Sequence, residues 1–379
     1  MAEGVKPYRR YRGGRVKGRV PLDSGKRAPS KPPKTAAPKG RRRWGRWVAI
    51  GLGSLVLFFI VWGLLGYLSF SRGVDDANER LQPRAYAQLA EHDGSILSDP
   101  ATFLVIGTDG GSAPGRGNSN RSDSLMLLRT DPGRHRLSYL SIPRDLRVDI
   151  PGYGSAKVNA ANQFGGPALT IATVRAFTGI PIHHVIVLNF DGFKELIDAL
   201  GGVEIDVPKK ILSNKFDCPY KASRCAEWDG WRFEKGKQTM DGRRALVYSR
   251  VRTNQLDASD NDVTRGGRQQ EVADAVGDQI ASFGTFLKLP FIGDSLATPL
   301  VTDLSAGELA RLGWVRFRAD ASRSIHCRLG GEPATFSGES VLLGSDENLE
   351  VIAMFLRRSA PLAPPKGSLY EGGCTRRPG

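Results

Sequence analysis

Two aspartates stand where apolar segments end. Asp109 follows TFLVIGT and enters a loop rich in Gly, Ser and Asn, and Asp123 sits in Arg121-Ser122-Asp123 just before SLMLLRT. A carboxylate at the mouth of each of two strands suits a hard cation such as Mg²⁺, with Mn²⁺ as the alternative ion, waters and a substrate phosphate completing the oxygen shell. Taken singly, either aspartate equally suits loop capping. Three further clusters are Ile142-Pro143-Arg144-Asp145, then Lys157-Val158-Asn159 leading to Gly165-Gly166, and the dense run from Arg250 and Arg252 to DNDVTRGGRQQ at 260–270. In a helix Asp262, Arg265 and Gln269 are spaced to share one face, whereas Arg268 lies one residue round from Arg265. An exposed salt-bridge ladder is the plain reading of Asp262, Arg265 and Arg268. Arg121, Arg144, Arg250, Arg252 and Arg265 gathered at the same carboxylates call for more. Guanidinium forks grip phosphate in pairs, and so many together need a polyanion. A pyrophosphate with Mg²⁺ meets that need.

The elements that must hold these groups alternate. Thr102–Gly107 reads as a buried strand, and 124–130 and 136–142 as a hairpin pair joined by Asp131-Pro132-Gly133. Helices are expected over 167–178, 192–200, 241–247, 263–283, 305–316 and 346–358, with strands at 184–189 and 203–207. Interleaving without repeats argues an α/β fold, a mixed central sheet flanked by helices and preceded by one transmembrane helix. The expected organisation is a disordered basic tail (1–46), a membrane helix (47–70), a polar stalk (71–100), a catalytic domain (101–284), a helical extension of the same body (285–360) and a Pro/Gly-rich tail (361–379).

The formal charge of +15 separates along this plan. Residues 1–46 hold sixteen basic and two acidic side chains, Trp47–Phe70 holds none of either, and the remainder carries 38 basic against 37 acidic. The body is therefore neutral, and no aromatic platform accompanies the basic tail, which argues against a nucleic-acid partner. Twenty-four uncharged residues span a hydrocarbon core, and Arg41, Arg42, Arg43 and Arg46 before them put the N-terminus in the cytoplasm and the body outside the cell membrane. The same basic residues suit anionic membrane lipids. Four cysteines allow three pairings, of which Cys218–Cys225 with Cys327–Cys374 is the nearest in sequence; unpaired thiols are the other reading. The doublet His183-His184 reads as the start of a strand, and Tyr220, Trp228 and Trp231 as core or rim aromatics.

The ordered motifs GTD, RSDSLML, SIPRD, KVNAA, GGVEIDVP, SRVR and DNDVTRGGRQQ resemble the LytR-CpsA-Psr family of cell-envelope proteins. The likeness covers roughly residues 101–283, with an insertion, TNQLDAS, between Arg252 and Asp260. It implies transfer of a glycopolymer phosphate from a polyprenyl-pyrophosphate carrier to a hydroxyl of peptidoglycan or a related wall acceptor. By the same resemblance Asp109 and Asp123 hold Mg²⁺, Arg121, Arg144, Arg250, Arg252 and Arg265 grip pyrophosphate, and Lys157 and Gln269 line the site. Asp262 or Asp145 is the candidate base, with Arg144 and Arg265 at the reacting phosphate. A pyrophosphate hydrolase and a non-catalytic wall-polymer-binding regulator are the alternatives.

Overall fold

In this computed structural model, residues 41–110, 121–260, 262–365 and 370–376 are described, without the side chains of 41–43, 262 and 263. The chain divides into Met1–Leu55 and Val56–Gly379, and the second unit holds the whole α/β body. Helix α1 (Arg41–Glu79) contains the uncharged run and is long and apolar enough to cross a membrane. A single-turn helix α2 (Pro83–Tyr86) leads to the first strands, β1 (Thr102–Thr108), β2 (Ser122–Asp131) and β3 (Arg136–Ile142). β4 (Leu146–Ile150) and β5 (Gly154–Lys157) form a hairpin before α3 (Ala160–Thr178). Then come β6 (His184–Asn189), α4 (Phe190–Leu200), β7 (Val203–Val207), β8 (Ile211–Leu212) and α5 (Ala222–Cys225). β9 (Arg232–Phe233), β10 (Gly236–Met240), α6 (Gly242–Arg250), α7 (Asp262–Ile280) and α8 (Phe283–Ala297) follow. The chain continues through β11 (Leu300–Thr302), α9 (Ala306–Arg318), β12 (Ile325–Arg328), β13 (Glu332–Phe336), β14 (Glu339–Leu343), α10 (Glu347–Phe355) and β15 (Gly373–Arg376).

The main sheet runs β11-β6-β1-β2-β3-β12-β15 and is mixed, β6 being parallel to β1, β12 parallel to β3, and the other neighbours antiparallel. Because strand side chains alternate, apolar residues throughout β1 and β2 feed two cores. Leu104, Ile106, Leu125 and Leu127 enter one, while Phe103 and Met126 enter the other. A third core packs α4, α6 and α7 against β7 and β10 through Ile197, Ile205, Met240, Tyr248 and Val272.

Several expectations are corrected. Residues 71–100 are not a free stalk: Val74, Ala77, Leu81, Ala85 and Ile96 are buried, and Arg80 donates to the carbonyls of Thr298 and Leu300. The apolar residues in that polar stretch are spaced to one side, which is why it packs. Residues 285–360 are not simply helical, since β11 and β12 extend the main sheet and β13-β14 join β4-β5 in a second one. The C-terminal tail adds β15 antiparallel to β12, with Cys327 directly opposite Cys374. Both nearest-neighbour disulfides are present, Cys218–Cys225 and Cys327–Cys374. Helix α8 has no counterpart among the expected helices because Pro290 lies inside it, where a proline removes a helical hydrogen bond.

Candidate active site

The antiparallel β1–β2 register brings the two aspartates to one end of the sheet. Gly107 faces Ser124 and Thr108 faces Ser122, so Asp123 is the extra residue of a β-bulge. A bulge leaves its residue outside the ladder and re-aims its side chain. Asp109 continues beyond Thr108, where its N–H meets the Arg121 carbonyl at 3.4 Å. Both aspartates thus lie at the same end of the β1–β2 pair.

Cations surround Asp123. Arg144 Nη1 lies 2.6 Å from its Oδ1, Arg252 Nη2 lies 3.9 Å from the same atom, and Arg265 Nη2 donates to its carbonyl at 3.1 Å. Burial alone pushes this carboxyl up, but the Arg144, Arg265 and Arg252 guanidinium groups outweigh it and hold Asp123 below the usual carboxylate range. It is a permanent anion at neutral pH.

Each arginine is delivered by a different device. Arg265 is only 3% exposed, and α7 lies close enough to the sheet for its reach because the next residue is glycine. A Cβ on Gly266 would meet Ser141 Cβ at 2.7 Å, and the Gly266 carbonyl instead accepts a hydrogen bond from Ser141 Oγ at 3.1 Å. Gln269, one turn on, accepts from Ser124 Oγ at 2.9 Å. Gln270 is buried and donates to Ser141 Oγ (2.8 Å) and the Cys327 carbonyl (2.7 Å), fixing the register of α7 on β3 and β12. Arg250 ends α6, where Asp217 pairs with it and the rings of Phe190 and Phe216 lie 4.5 and 5.6 Å from its guanidinium. Arg268 turns away as its offset suggests, holding Asp260 at 3.0 Å and the Val251 carbonyl. Lys209 also binds Asp260, so the end of the inserted 253–259 segment is held by Arg268 of α7 and by Lys209.

Two cavities meet at Asp123 and Arg265. One is a cleft of about 250 Å³ lined by Asn214, Lys215, Phe216, Arg250, Arg252 and Thr253 besides that pair. The other is a narrow slot whose wall includes Ser141, Pro143, Gln269 and Arg328. The remaining candidates are peripheral. Arg121 is exposed and donates to Gln163 at 2.7 Å. Asp145 sits between Arg144 Nε and Lys157 Nζ, each at 3.4 Å, so it and Lys157 stand behind Arg144. Asp262 opens α7, but its side chain lies outside the described residues, as does the 111–120 loop.

Sequence reasoning misses Arg328, Gln270 and the Asn214–Phe216 wall. For Arg328 the only signal is its place beside Cys327; the wall adjoins the Cys218–Cys225 loop, whose aromatics read as core or rim. His183 and His184 are remote from the cleft: His184 Nδ1 pairs with Asp303 at 2.7 Å and His183 Nδ1 accepts from the Thr102 N–H.

Among the described residues no group of three or more His, Cys, Asp or Glu side chains is arranged to hold a metal. Mg²⁺ does not require one, since it keeps several waters and takes one or two carboxylates plus substrate phosphate. Asp109 and Asp123, two carboxylates at the same end of the sheet, are of that donor type.

The LytR_cpsA_psr family model matches residues 67–355. A polyisoprenyl-teichoic acid–peptidoglycan teichoic acid transferase, TagU of Halalkalibacterium halodurans, is 34% identical over 262 residues, covering 68% of this chain and 79% of its own. TagU of Oceanobacillus iheyensis is 29% identical over 320 residues, covering 82% and 92%. Among solved structures, Bacillus subtilis TagV superposes with a TM-score of 0.56 at 27% identity, over 69% of this chain and 97% of that one. The family protein YwtF (TagT) with bound octaprenyl pyrophosphate lipid gives 0.51 at 25% identity, over 71% and 93%.

Proposed function

Because the chain belongs to the LytR-CpsA-Psr family, we propose that it is a membrane-anchored transferase that moves a glycopolymer phosphate from a polyprenyl-pyrophosphate carrier to a hydroxyl of peptidoglycan or a related wall acceptor. The observation that carries this reading is Asp123, bracketed by Arg144, Arg252 and Arg265 at the mouth of a cleft lined by Arg250 and Lys215. Phosphoryl transfer asks little covalent help of a protein; it needs charge neutralisation and in-line placement. Arg144, Arg252 and Arg265 neutralise the pyrophosphate, with Arg250 held ready by Asp217 and two rings. An acceptor oxygen attacks the phosphorus that bears the sugar, the bond from that phosphorus to the bridging oxygen breaks, and polyprenyl phosphate leaves with the electron pair. The hydroxyl proton passes to one of the two candidate bases, Asp262 or Asp145. Asp145 steers Arg144 from behind, and Lys157 and Arg121 complete the positive rim. Asp109 and Asp123 would hold Mg²⁺, which when bound supplies further neutralisation of the two phosphates. The basic residues before the uncharged run of α1, among them Arg41, Arg42, Arg43 and Arg46, favour an N-terminus in the cytoplasm and a body on the outer side.

The test uses full-length protein in proteoliposomes with a polyprenyl-pyrophosphate-linked glycopolymer and peptidoglycan. Polymer bound covalently to the peptidoglycan, with equimolar release of polyprenyl phosphate, is the expected result. Equal release without acceptor indicates hydrolysis, and no release indicates a binding module; either outcome overturns the transferase reading.

A further inference from the structure

Helix α8 (FGTFLKLPFIGDSLA) is apolar on both its packed and its exposed face. Leu296 and Thr285 are buried, and Leu289, Ile292 and Leu296 pack with Leu196 and Leu200 of α4 and with Phe70. The other side shows Phe283 (66% exposed), Leu287 (39%) and Phe291 (74%), spaced i, i+4, i+8, and Ile280 extends it at the end of α7. Scattered exposed apolar residues are ordinary, but a continuous row marks an interaction surface.

Its position says what covers it. The rings of Phe291 and Trp62 lie 5.7 Å apart, and those of Phe286 and Phe59 lie 6.5 Å apart. The backbones come close at Gly66, where an added Cβ would lie 3.0 Å from Leu289, and at Gly293, where it would lie 2.7 Å from the Phe70 nitrogen. Thus α8 runs beside the part of α1 that closes the uncharged stretch. Trp62 and Phe59 lie eight and eleven residues inside Phe70, about 12 and 16 Å along the helix, so α8 sits beside the membrane-spanning sequence itself and not beyond its end. Around Trp62, Phe58, Ile60 and Leu65 of α1 stay exposed as well, so the row on α8 continues an apolar surface already assigned to the bilayer.

We propose that the α7–α8 turn and the exposed face of α8 are inserted in the leaflet on the body's side of the membrane, as a second, in-plane attachment beside α1. The occupant is phospholipid acyl chain. Lys288, exposed within α8, lets its stem follow the apolar surface while its ammonium rises to the phosphates of anionic headgroups. One consequence rests on the reading of the arginine cleft. Arg265 is fifteen residues from Ile280, about 22 Å along α7, so the pyrophosphate site stands no higher than that above the inserted turn. A headgroup would then meet its arginines without the carrier leaving the membrane.

The test is labelling of the full-length protein in nanodiscs of phosphatidylcholine and phosphatidylglycerol that contain a phospholipid with an acyl-chain diazirine. After illumination, peptides covering Phe283–Phe291 should carry acyl label at a yield per residue comparable to α1, with the Ser213–Trp231 loop unlabelled. The double variant Phe283→Glu, Phe291→Glu should lose label on α8 and keep it on α1; both side chains are exposed, so its unfolding temperature should be unchanged. Label confined to α1 in the native protein, whether water or a second copy covers α8, overturns the proposal. Labelling needs no turnover, so its failure is separate from failure of the transferase reading.

Discussion

Replacing Asp123 with asparagine separates a metal-binding carboxylate from a merely structural one. The change keeps the shape and removes the charge that Arg144 approaches at 2.6 Å and Arg252 at 3.9 Å. The Asp123 and Arg144 side chains are 13% and 17% exposed. Breaking a fully buried pair costs about 3–5 kcal/mol, and partial exposure together with the second partner Asp145 brings this to roughly 2 kcal/mol. For a body of this size that lowers the unfolding temperature by about 4 °C, leaving the protein folded at 25 °C. Binding should respond in the opposite sense. Asp123 competes with pyrophosphate for the arginines, so without Mg²⁺ the variant should bind a prenyl pyrophosphate at least as tightly as the native protein, by up to about tenfold, or 1.4 kcal/mol. Added Mg²⁺ should tighten binding to the native protein and leave the variant nearly unchanged. Turnover should fall by about 10²–10³, as when one preorganised electrostatic group is removed. Isothermal titration with and without Mg²⁺ reads this directly. An Asp123→Asn protein whose Mg²⁺ response equals the native one refutes the metal assignment, and weaker binding in the absence of Mg²⁺ refutes the competition.

Three further outcomes are expected. Gln270→Leu deprives Ser141 Oγ, the Cys327 carbonyl and His326 of a partner; thermal unfolding should show a loss of about 3 kcal/mol, and a loss below about 1 would mean the network does not hold α7. Replacing Cys327 and Cys374 with serine frees a 47-residue separation and should cost about 4 kcal/mol, against about 2.5 for Cys218 and Cys225, seven apart; denaturant midpoints in the reverse order would show that loop closure does not set these costs. Burial, with His92, His184 and Arg129 nearby, lowers the His183 pKa to about 4. The folded protein therefore keeps that ring neutral while the unfolded chain protonates near pH 6.5: its stabilisation is complete above pH 6.5 and is lost as pH falls towards 4. Allowing for partial exposure this is about 1–2 kcal/mol, and His183→Asn should flatten the corresponding slope of urea midpoints; an unchanged slope assigns it to other groups.

What was legible in the sequence was the part written in local patterns. The uncharged run before the body, the alternating strands and the order of the charged motifs required no knowledge of contacts. The i, i+3, i+7 spacing separated Arg265 and Gln269 from Arg268, which indeed points to Asp260. What stayed hidden depended on registers between distant segments. The bulge at Asp123 exists only in the pairing of β1 with β2, and Arg328 reaches the slot only because β12 lies parallel to β3. The burial of Leu81 and Ala85 in a polar stretch, and a helix carrying Pro290, are cases where tertiary packing overrode composition and propensity. Arg121 and Lys157 show the limit from the other side: the motifs named them, and the fold sets them at the rim.

The transferase reading stands on the arginines around Asp123 forming a pyrophosphate site. The most direct measurement is a crystal structure of the protein with Mg²⁺ and a prenyl pyrophosphate. The two phosphates are expected between Arg144, Arg252 and Arg265, with the metal against Asp109 and Asp123. A pyrophosphate bound elsewhere, with the Asp123–Arg144 pair intact across the cleft, would contradict that reading.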